Sequence, residues 1–317
     1  MPRRFGRNRL QVAAALLVLL LPARMVAALD VIVISDLNGS YGSVRYDARV
    51  SNAVARIIEM KPDLVISTGD MVAGQRKPHL SESEVRAMWR AFHKAVSDPL
   101  ERAGIPFAVT PGNHDASAYG GFERERQIFA QEWGARKPGL NLVNGDGYPF
   151  FYTFEMEGIT FVSLDATTLG PLTGSQMREL SALSDTGNPV VTFSHLPLWP
   201  FAQQREREII GDPGLEDLYH RNGVVLHLSG HHHAYFPGWK DGVAYVSQAC
   251  LGGGSRRLIG ETDRSAHSFT HIDIDASGHF DVEAYKAPDF RTRVDPRSLP
   301  AEVRTPKAVL KRLDLFR

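Results

Sequence analysis

The sequence predicts an α/β fold built on a parallel sheet, with a ligand site beyond the C-terminal ends of its strands. Three observations carry that expectation. Short β-branched runs alternate with longer segments of helical spacing through the first half of the chain. Each run ends in a cluster of polar residues. The composition, 43% hydrophobic and 23% charged over 317 residues, is that of a chain able to bury a large core, which excludes disorder and coiled coil.

The first strand is read in Leu29-Asp30-Val31-Ile32-Val33-Ile34-Ser35, apolar enough to be covered on both faces. Val50, Val54, Ile57 and Ile58 give Asp47 to Met60 a helical stripe, which Lys61-Pro62 stops. Leu64 to Ser67 forms a second strand ending in Thr68-Gly69-Asp70, a long helical pattern runs from Ser81 to Arg102, and Ile105 to Thr110 forms a third strand ending in Pro111-Gly112-Asn113-His114-Asp115. Further on, Phe150 to Met156 and Ile159 to Leu164 flank Glu157-Gly158 as a hairpin. Pro189 to Ser194 and Val224 to Ser229 are apolar strands leading into histidines, and Val243 to Ser247, Phe269 to Ile274 and Phe280 to Tyr285 resemble antiparallel strands. Gly252-Gly253-Gly254 lacks the strand-to-helix setting and the lysine of a nucleotide cradle and reads as a loop.

The two ends are set apart. Arg3, Arg4, Arg7 and Arg9, the apolar run from Leu10 to Leu21 and Val26-Ala27-Ala28 compose a secretory signal peptide over residues 1–28, so the chain is expected to be exported, with no transmembrane segment after cleavage. Residues 29–290 form the domain, and the proline-rich basic residues 291–317 a peripheral C-terminal arm. Cys250 is the only cysteine, which excludes an intrachain disulfide, and its alternating strand setting marks it as a buried small residue. Lys plus Arg and Asp plus Glu both number 36, so there is no strong nucleic-acid signal and any attraction for phosphate is local.

Five clusters at strand ends carry the chemistry: Asp36-Leu37-Asn38, Gly69-Asp70, Gly112-Asn113-His114-Asp115, His195 and Gly230-His231-His232-His233. Carboxylate and amide oxygens with imidazole nitrogens are the donors that Zn, Mn and Fe accept. In an extended segment His231 and His233, two apart, share a face and can reach one centre.

The order Asp-x-Asn, Gly-Asp, Gly-Asn-His-Asp, His, Gly-His-x-His, from Asp36 to His233, resembles the calcineurin-like metallophosphoesterase superfamily. The resemblance implies two mixed β-sheets flanked by helices, a four-layer α-β-β-α sandwich. It also implies a centre of two divalent or trivalent metal ions (Mn, Fe or Zn) that hydrolyses a small phosphate ester, monoester or diester, with a metal-bridging hydroxide. Carried over residue by residue, Asp36 and His233 would hold the first metal, Asp70 would bridge, and Asn113, His195 and His231 would hold the second. His114 would protonate the leaving group or steady the transition state, Asp115 would orient His114, and His232 would point away. The sequence departs from the family where the first motif ends: Asn38 stands where histidine is usual. Its amide oxygen would be a weaker ligand than imidazole, so the first site is expected to bind metal less tightly.

Other residues have plainer readings. His79, His93, His220, His227, His267, His271 and His279 show no clustering and read as surface or satisfied core histidines. Trp199 reads as a packed loop aromatic. Tyr41 closely follows the first cluster and either reaches the site or makes a turn. Arg256 and Arg257 have the fork chemistry that holds phosphate, which most surface arginines do not use. A zinc hydrolase of peptides or lactams would need His-Glu-x-x-His or His-x-His-x-Asp-His, and neither is present. The remaining rival is a non-catalytic relative that binds metal or ligand, for which Asn38 is the one hint.

Overall fold

In a computed structural model that describes residues 28–136, 139–185 and 187–316, β1 (Leu29–Ile34) alternates between two apolar clusters: Val31 and Val33 enter one, Ile32 and Ile34 the other. A strand buried on both faces needs a layer on each side. The chain continues through α1 (Ala48–Met60), β2 (Leu64–Ser67), α2 (Glu82–Phe92), α3 (Asp98–Arg102), β3 (Phe107–Val109), α4 (Glu123–Gly134), β4 (Asn141–Asn144), β5 (Tyr152–Met156) and β6 (Ile159–Leu164). There follow α5 (Gly174–Ser181), β7 (Val190–Ser194), α6 (Pro213–Arg221), β8 (Val224–Ser229), β9 (Phe236–Lys240), β10 (Val243–Ser247), β11 (Ser268–Ile274), β12 (Phe280–Lys286), β13 (Thr292–Arg293), β14 (Glu302–Arg304) and β15 (Val309–Arg312). The expected signal peptide, but for its last position, lies outside the described residues.

The strands form two mixed sheets, ordered β13-β12-β11-β1-β2-β3 and β14-β15-β9-β10-β8-β7-β6-β5-β4. Parallel pairing joins β1 to β2 and β2 to β3 in the first, and β6, β7, β8 and β10 in the second. Three apolar clusters separate four layers. Between the sheets, Val31, Val33, Leu64 and Ile66 meet Phe154, Phe161, Val191 and Phe193. Outside the first sheet, Val50, Val54 and Ile57 of α1 and Trp89 and Phe92 of α2 cover Ile32, Ile34 and Val65. Outside the second, Leu180 of α5 and Leu215, Leu218 and Tyr219 of α6 cover Val162, Leu164 and Val190. Burying one such side chain stabilises by roughly 1.5–3 kcal/mol, so the inter-sheet cluster outweighs any single polar contact.

Local chemistry sets the helix ends. The Asp47 side chain accepts from Arg49 N to start α1, and Lys61, at φ 56°, closes it with its N–H on the Ile57 carbonyl. Ser81 and Glu84 form a reciprocal capping box on α2. The single helix expected from Ser81 to Arg102 is interrupted by one π-helical turn, His93–Ser97, just before Pro99. A proline lacks an N–H and its ring crowds the carbonyl four residues back, and a widened turn accommodates both.

Helices α4, α5 and α6 and strands β4 and β9 are not anticipated by the sequence pattern. The tail differs from the expected peripheral arm: β13 pairs with β12, while β14 and β15 extend the second sheet past β9, with Val303 and Leu310 fully buried. Among the described residues no helix is long and apolar enough to cross a membrane.

Candidate metal centre

The parallel strands of both sheets direct their C-terminal ends to one place. Asp36 follows β1, Asp70 follows β2, and Asn113, His114 and Asp115 follow β3. From the second sheet, His195 follows β7, and His231, His232 and His233 follow β8. The turns that achieve this are strained: Asp36, Asp70, His231 and His233 have φ of 51°, 53°, 63° and 50°. Non-glycine residues seldom adopt left-handed backbone, and four at one site mark a place where the surrounding fold imposes geometry on the side chains. Two glycines permit the approach. A Cβ on Gly112 would collide with the backbone and carboxylate of Asp70, and one on Gly230 would collide with Ser35 Oγ.

Three histidines share one arrangement. His195 Nδ1 lies 2.9 Å from the Thr68 carbonyl, His231 Nε2 lies 2.8 Å from Glu208 Oε2, and His233 Nδ1 lies 2.9 Å from the Gly254 carbonyl. In the neutral ring each of these acceptors takes the N–H, which leaves the opposite nitrogen, turned inward, as the one with a lone pair to offer a cation. There His195 Nε2 meets Asn113 Oδ1 at 2.9 Å, His231 Nδ1 at 3.2 Å and Asp70 Oδ1 at 3.4 Å, while His233 Nε2 lies 3.0 Å from Asp36 Oδ1. Asn113 Nδ2 donates to Gln75 Oε1 at 3.3 Å, which fixes its oxygen toward His195.

With neutral rings, lone pairs therefore face lone pairs, an arrangement that a cation satisfies. Asp36 Oδ1 is buried and, despite its nearness to His233, has no hydrogen-bond partner. One donor atom each from Asp36, Asp70 and His195 lies within 4.8 Å of the others. The residues fit a metal centre, with Asp36 and His233 on one side, Asn113, His195 and His231 on the other and Asp70 between. Asn38 is buried beside them, and its backbone N–H donates to the Asp70 carbonyl at 3.1 Å.

The electrostatics fit the same use. Burial opposes ionisation of Asp36, but His233 overcomes it and holds the carboxyl at about 2. Burial likewise opposes ionisation of Asp70, which His195 and His114 nevertheless hold well below the ordinary carboxylate range. Burial disfavours His195 imidazolium, but the Asp70 charge raises it to about 9. Burial pushes His231 down to about 4, against the pull of Glu208. A metal at this centre would compete with the proton that His195 takes up beside Asp70.

His114 is pinned at its backbone, which donates to Asp70 Oδ1 at 2.9 Å and accepts from Gly74 N at 2.8 Å. Its Nε2 lies 3.8 Å from Asp70 Oδ2, and the Tyr41 ring is 5.2 Å from its own, so Tyr41 does reach the site. Asp115 does not orient it. The Asp115 oxygens accept from Met71 N and Gly112 N, both at 2.7 Å, and His114 Nδ1 is buried without a partner. Asp115 clamps the loop after β2 to the loop after β3, and its adjacency to His114 in sequence is not adjacency of function. Burial first, and then the charge of Asp70, raises the Asp115 carboxyl to about 7.

His232 points away from the centre, its Nδ1 accepting from Phe201 N at 3.1 Å and its Nε2 near the Glu208 carbonyl at 3.1 Å. Trp199 is buried and donates to Glu216 Oε1, as a packed aromatic. Glu208, Gln75 and the carbonyls of Thr68 and Gly254 are the contributors that sequence reasoning missed. Glu208 lies 23 residues before the histidine it orients, and no spacing rule connects them.

The model of the calcineurin-like phosphoesterase family matches residues 29–235, the span that supplies every one of these donors. The chain belongs to the calcineurin-like phosphoesterase family. Among solved structures this family member is similar to a dimetal phosphatase from Danio rerio (16% identity, 78% of this chain and 93% of that one, TM-score 0.52). It is also similar to a purple acid phosphatase from yellow lupin seeds (15% identity, 82% and 52%, TM-score 0.61) and to GAP50 of Plasmodium (14% identity, 82% and 85%, TM-score 0.55). At such identity the likeness shows the shared fold. A mouse protein named transmembrane protein 62 is 24% identical over 149 residues, 43% of this chain, and the matched part spans 22% of that relative's length.

Proposed function

We propose that the chain hydrolyses small phosphate esters at a centre of two metal ions (Mn, Fe or Zn) held by Asp36, Asp70, Asn113, His195, His231 and His233, with Asn38 alongside. The observation that carries this is the inward convergence of three imidazole rings and the Asn113 oxygen on two carboxylates, with each ring and the amide fixed from behind by a carbonyl, a carboxylate or Gln75. When bound, two such ions supply positive charge that ionises water near neutral pH and neutralises phosphoryl oxygens. His114, half-buried at the rim and held by its backbone, meets the leaving oxygen and gives it a proton. Asp70 keeps a negative charge in the middle of the cluster, and the left-handed turns hold it in position before substrate arrives.

The test is hydrolysis of para-nitrophenyl phosphate and bis-para-nitrophenyl phosphate with Mn, Zn, Fe or chelator, in wild type and Asp70→Asn. Metal-dependent turnover that Asp70→Asn abolishes is the expected outcome, and the ratio of the two rates sorts monoester from diester work. A second reading rests on Asn38, a weak donor where the family uses histidine, and on structural likeness to a protein described as an anchor. On that reading the fold binds metal without turnover, so a folded, metal-loaded protein inactive on both esters would establish it. Export is part of the proposal; a mature N-terminus near Leu29 on protein recovered outside the cytoplasm checks it.

A further inference from the structure

Beside the metal centre lies a recess of about 210 Å³ lined by Gln203, Gln204, Arg205, Arg256, Arg257 and Arg264. Its four guanidinium groups are unevenly neutralised. Arg205 pairs with Glu208 Oε1. Arg256, Arg257 and Arg264 donate instead to the backbone carbonyls of His231, Thr262 and Ser255, and among the described residues none of the three meets a carboxylate within ion-pair distance. Three positive charges thus face one cavity with only neutral partners.

The recess and the centre share a wall. Glu208 holds His231 with one oxygen and Arg205 with the other. The Arg256 guanidinium bonds the His231 carbonyl, and the Arg256 backbone N–H donates to the His233 carbonyl at 3.1 Å. The scaffold is fixed in advance: Gln203 N donates to the Arg257 carbonyl at 3.0 Å, and Arg257 pairs with Arg264 in an isolated antiparallel bridge. Guanidinium forks match the oxygens of phosphate, and a preordered set of them loses little freedom on binding.

We infer that the arginine recess holds a second phosphoryl group of the substrate, so that the preferred esters are organic bisphosphates with one phosphate at the metals and the other among Arg256, Arg257 and Arg264. The inference rests on the reading that the metal centre takes a phosphoryl group. It assigns selectivity to the loop after His233, a segment outside the donor motifs.

The experiment titrates Mn-loaded protein calorimetrically with butane-1,4-bisphosphonate and with butylphosphonate, neither of which is hydrolysed. The expected result is at least about tenfold tighter binding of the bisphosphonate, a margin that shrinks in Arg257→Gln and in Arg264→Gln, both at exposed positions. Equal affinities in wild type, or a margin unchanged in both variants, overturns the inference; the wild-type comparison decides even if a variant fails to fold. Turnover of para-nitrophenyl phosphate without the margin removes the recess and leaves the hydrolase. An arginine-dependent margin without turnover removes the hydrolase and leaves the recess.

Discussion

Each ligand histidine is held from behind, and that makes the orienting group testable apart from the ligand. Glu208→Gln keeps the shape but loses the charge that turns His231 inward, so metal affinity is expected to fall roughly 10–100-fold, read by metal titration with the chain still folded. His114→Ala is expected to retain metal and lose about 10²–10⁴ in kcat; loss of metal in that variant would make His114 a structural residue. A third residue reports on pH. His227 sits away from the centre against Thr192 Oγ1 at 2.9 Å and Tyr219 Oη at 3.1 Å, and burial lowers it to about 3 from 6.5. The unfolded chain binds this proton below pH 6.5 and the native one only near pH 3, so the stability it contributes is complete above 6.5 and is lost progressively as pH falls toward 3. Urea midpoints at pH 7.5 and 5 should therefore diverge less in His227→Gln than in wild type. At this scale the sequence was legible where donors follow strands directly, as with Asp70 and His195. It was misleading at Asp115, where a neighbour in sequence is a clamp in space, and silent on Glu208, because contacts between distant loops leave no periodicity to read.

Strands with β-branched runs were legible because a doubly covered strand needs such residues whatever its partners. The short helices α5 and α6, of 8 and 9 residues, offer too few turns for a stripe to stand out. The π turn of His93–Ser97 depends on how one proline is accommodated, and the tail strands β14 and β15 are set by β9, which the sequence pattern had not revealed. Where an element begins is more predictable from single residues. Ser81→Ala removes half of the α2 capping box and is expected to cost about 1 kcal/mol, measured by urea unfolding with activity unchanged; a change under about 0.2 kcal/mol would mean that α2 is held by its packing on Trp133 and Phe129 alone.

For the whole molecule, the layer order followed from five motifs in sequence, yet those motifs said nothing of how the two sheets are held together. The donors divide between them: Asp36, Asp70 and Asn113 stand on the first sheet, and His195, His231 and His233 on the second. A metal ion bound across that divide would favour the folded chain, so chelation should lower the thermal midpoint, with a stability difference that grows with the logarithm of free metal and reaches about 2.7 kcal/mol at a hundredfold excess over Kd. The same division makes the centre a caliper. Its jaws are the ends of the two sheets, and the aromatic filling between them, Phe154 stacked on Phe161 at 4.9 Å with Phe193 edge-on to Phe154, sets how far the jaws stand apart. Shaving that filling at Phe161, remote from any donor, would let the gauge close, and the bound ions would register the change as an altered spectrum before the chain lost its shape.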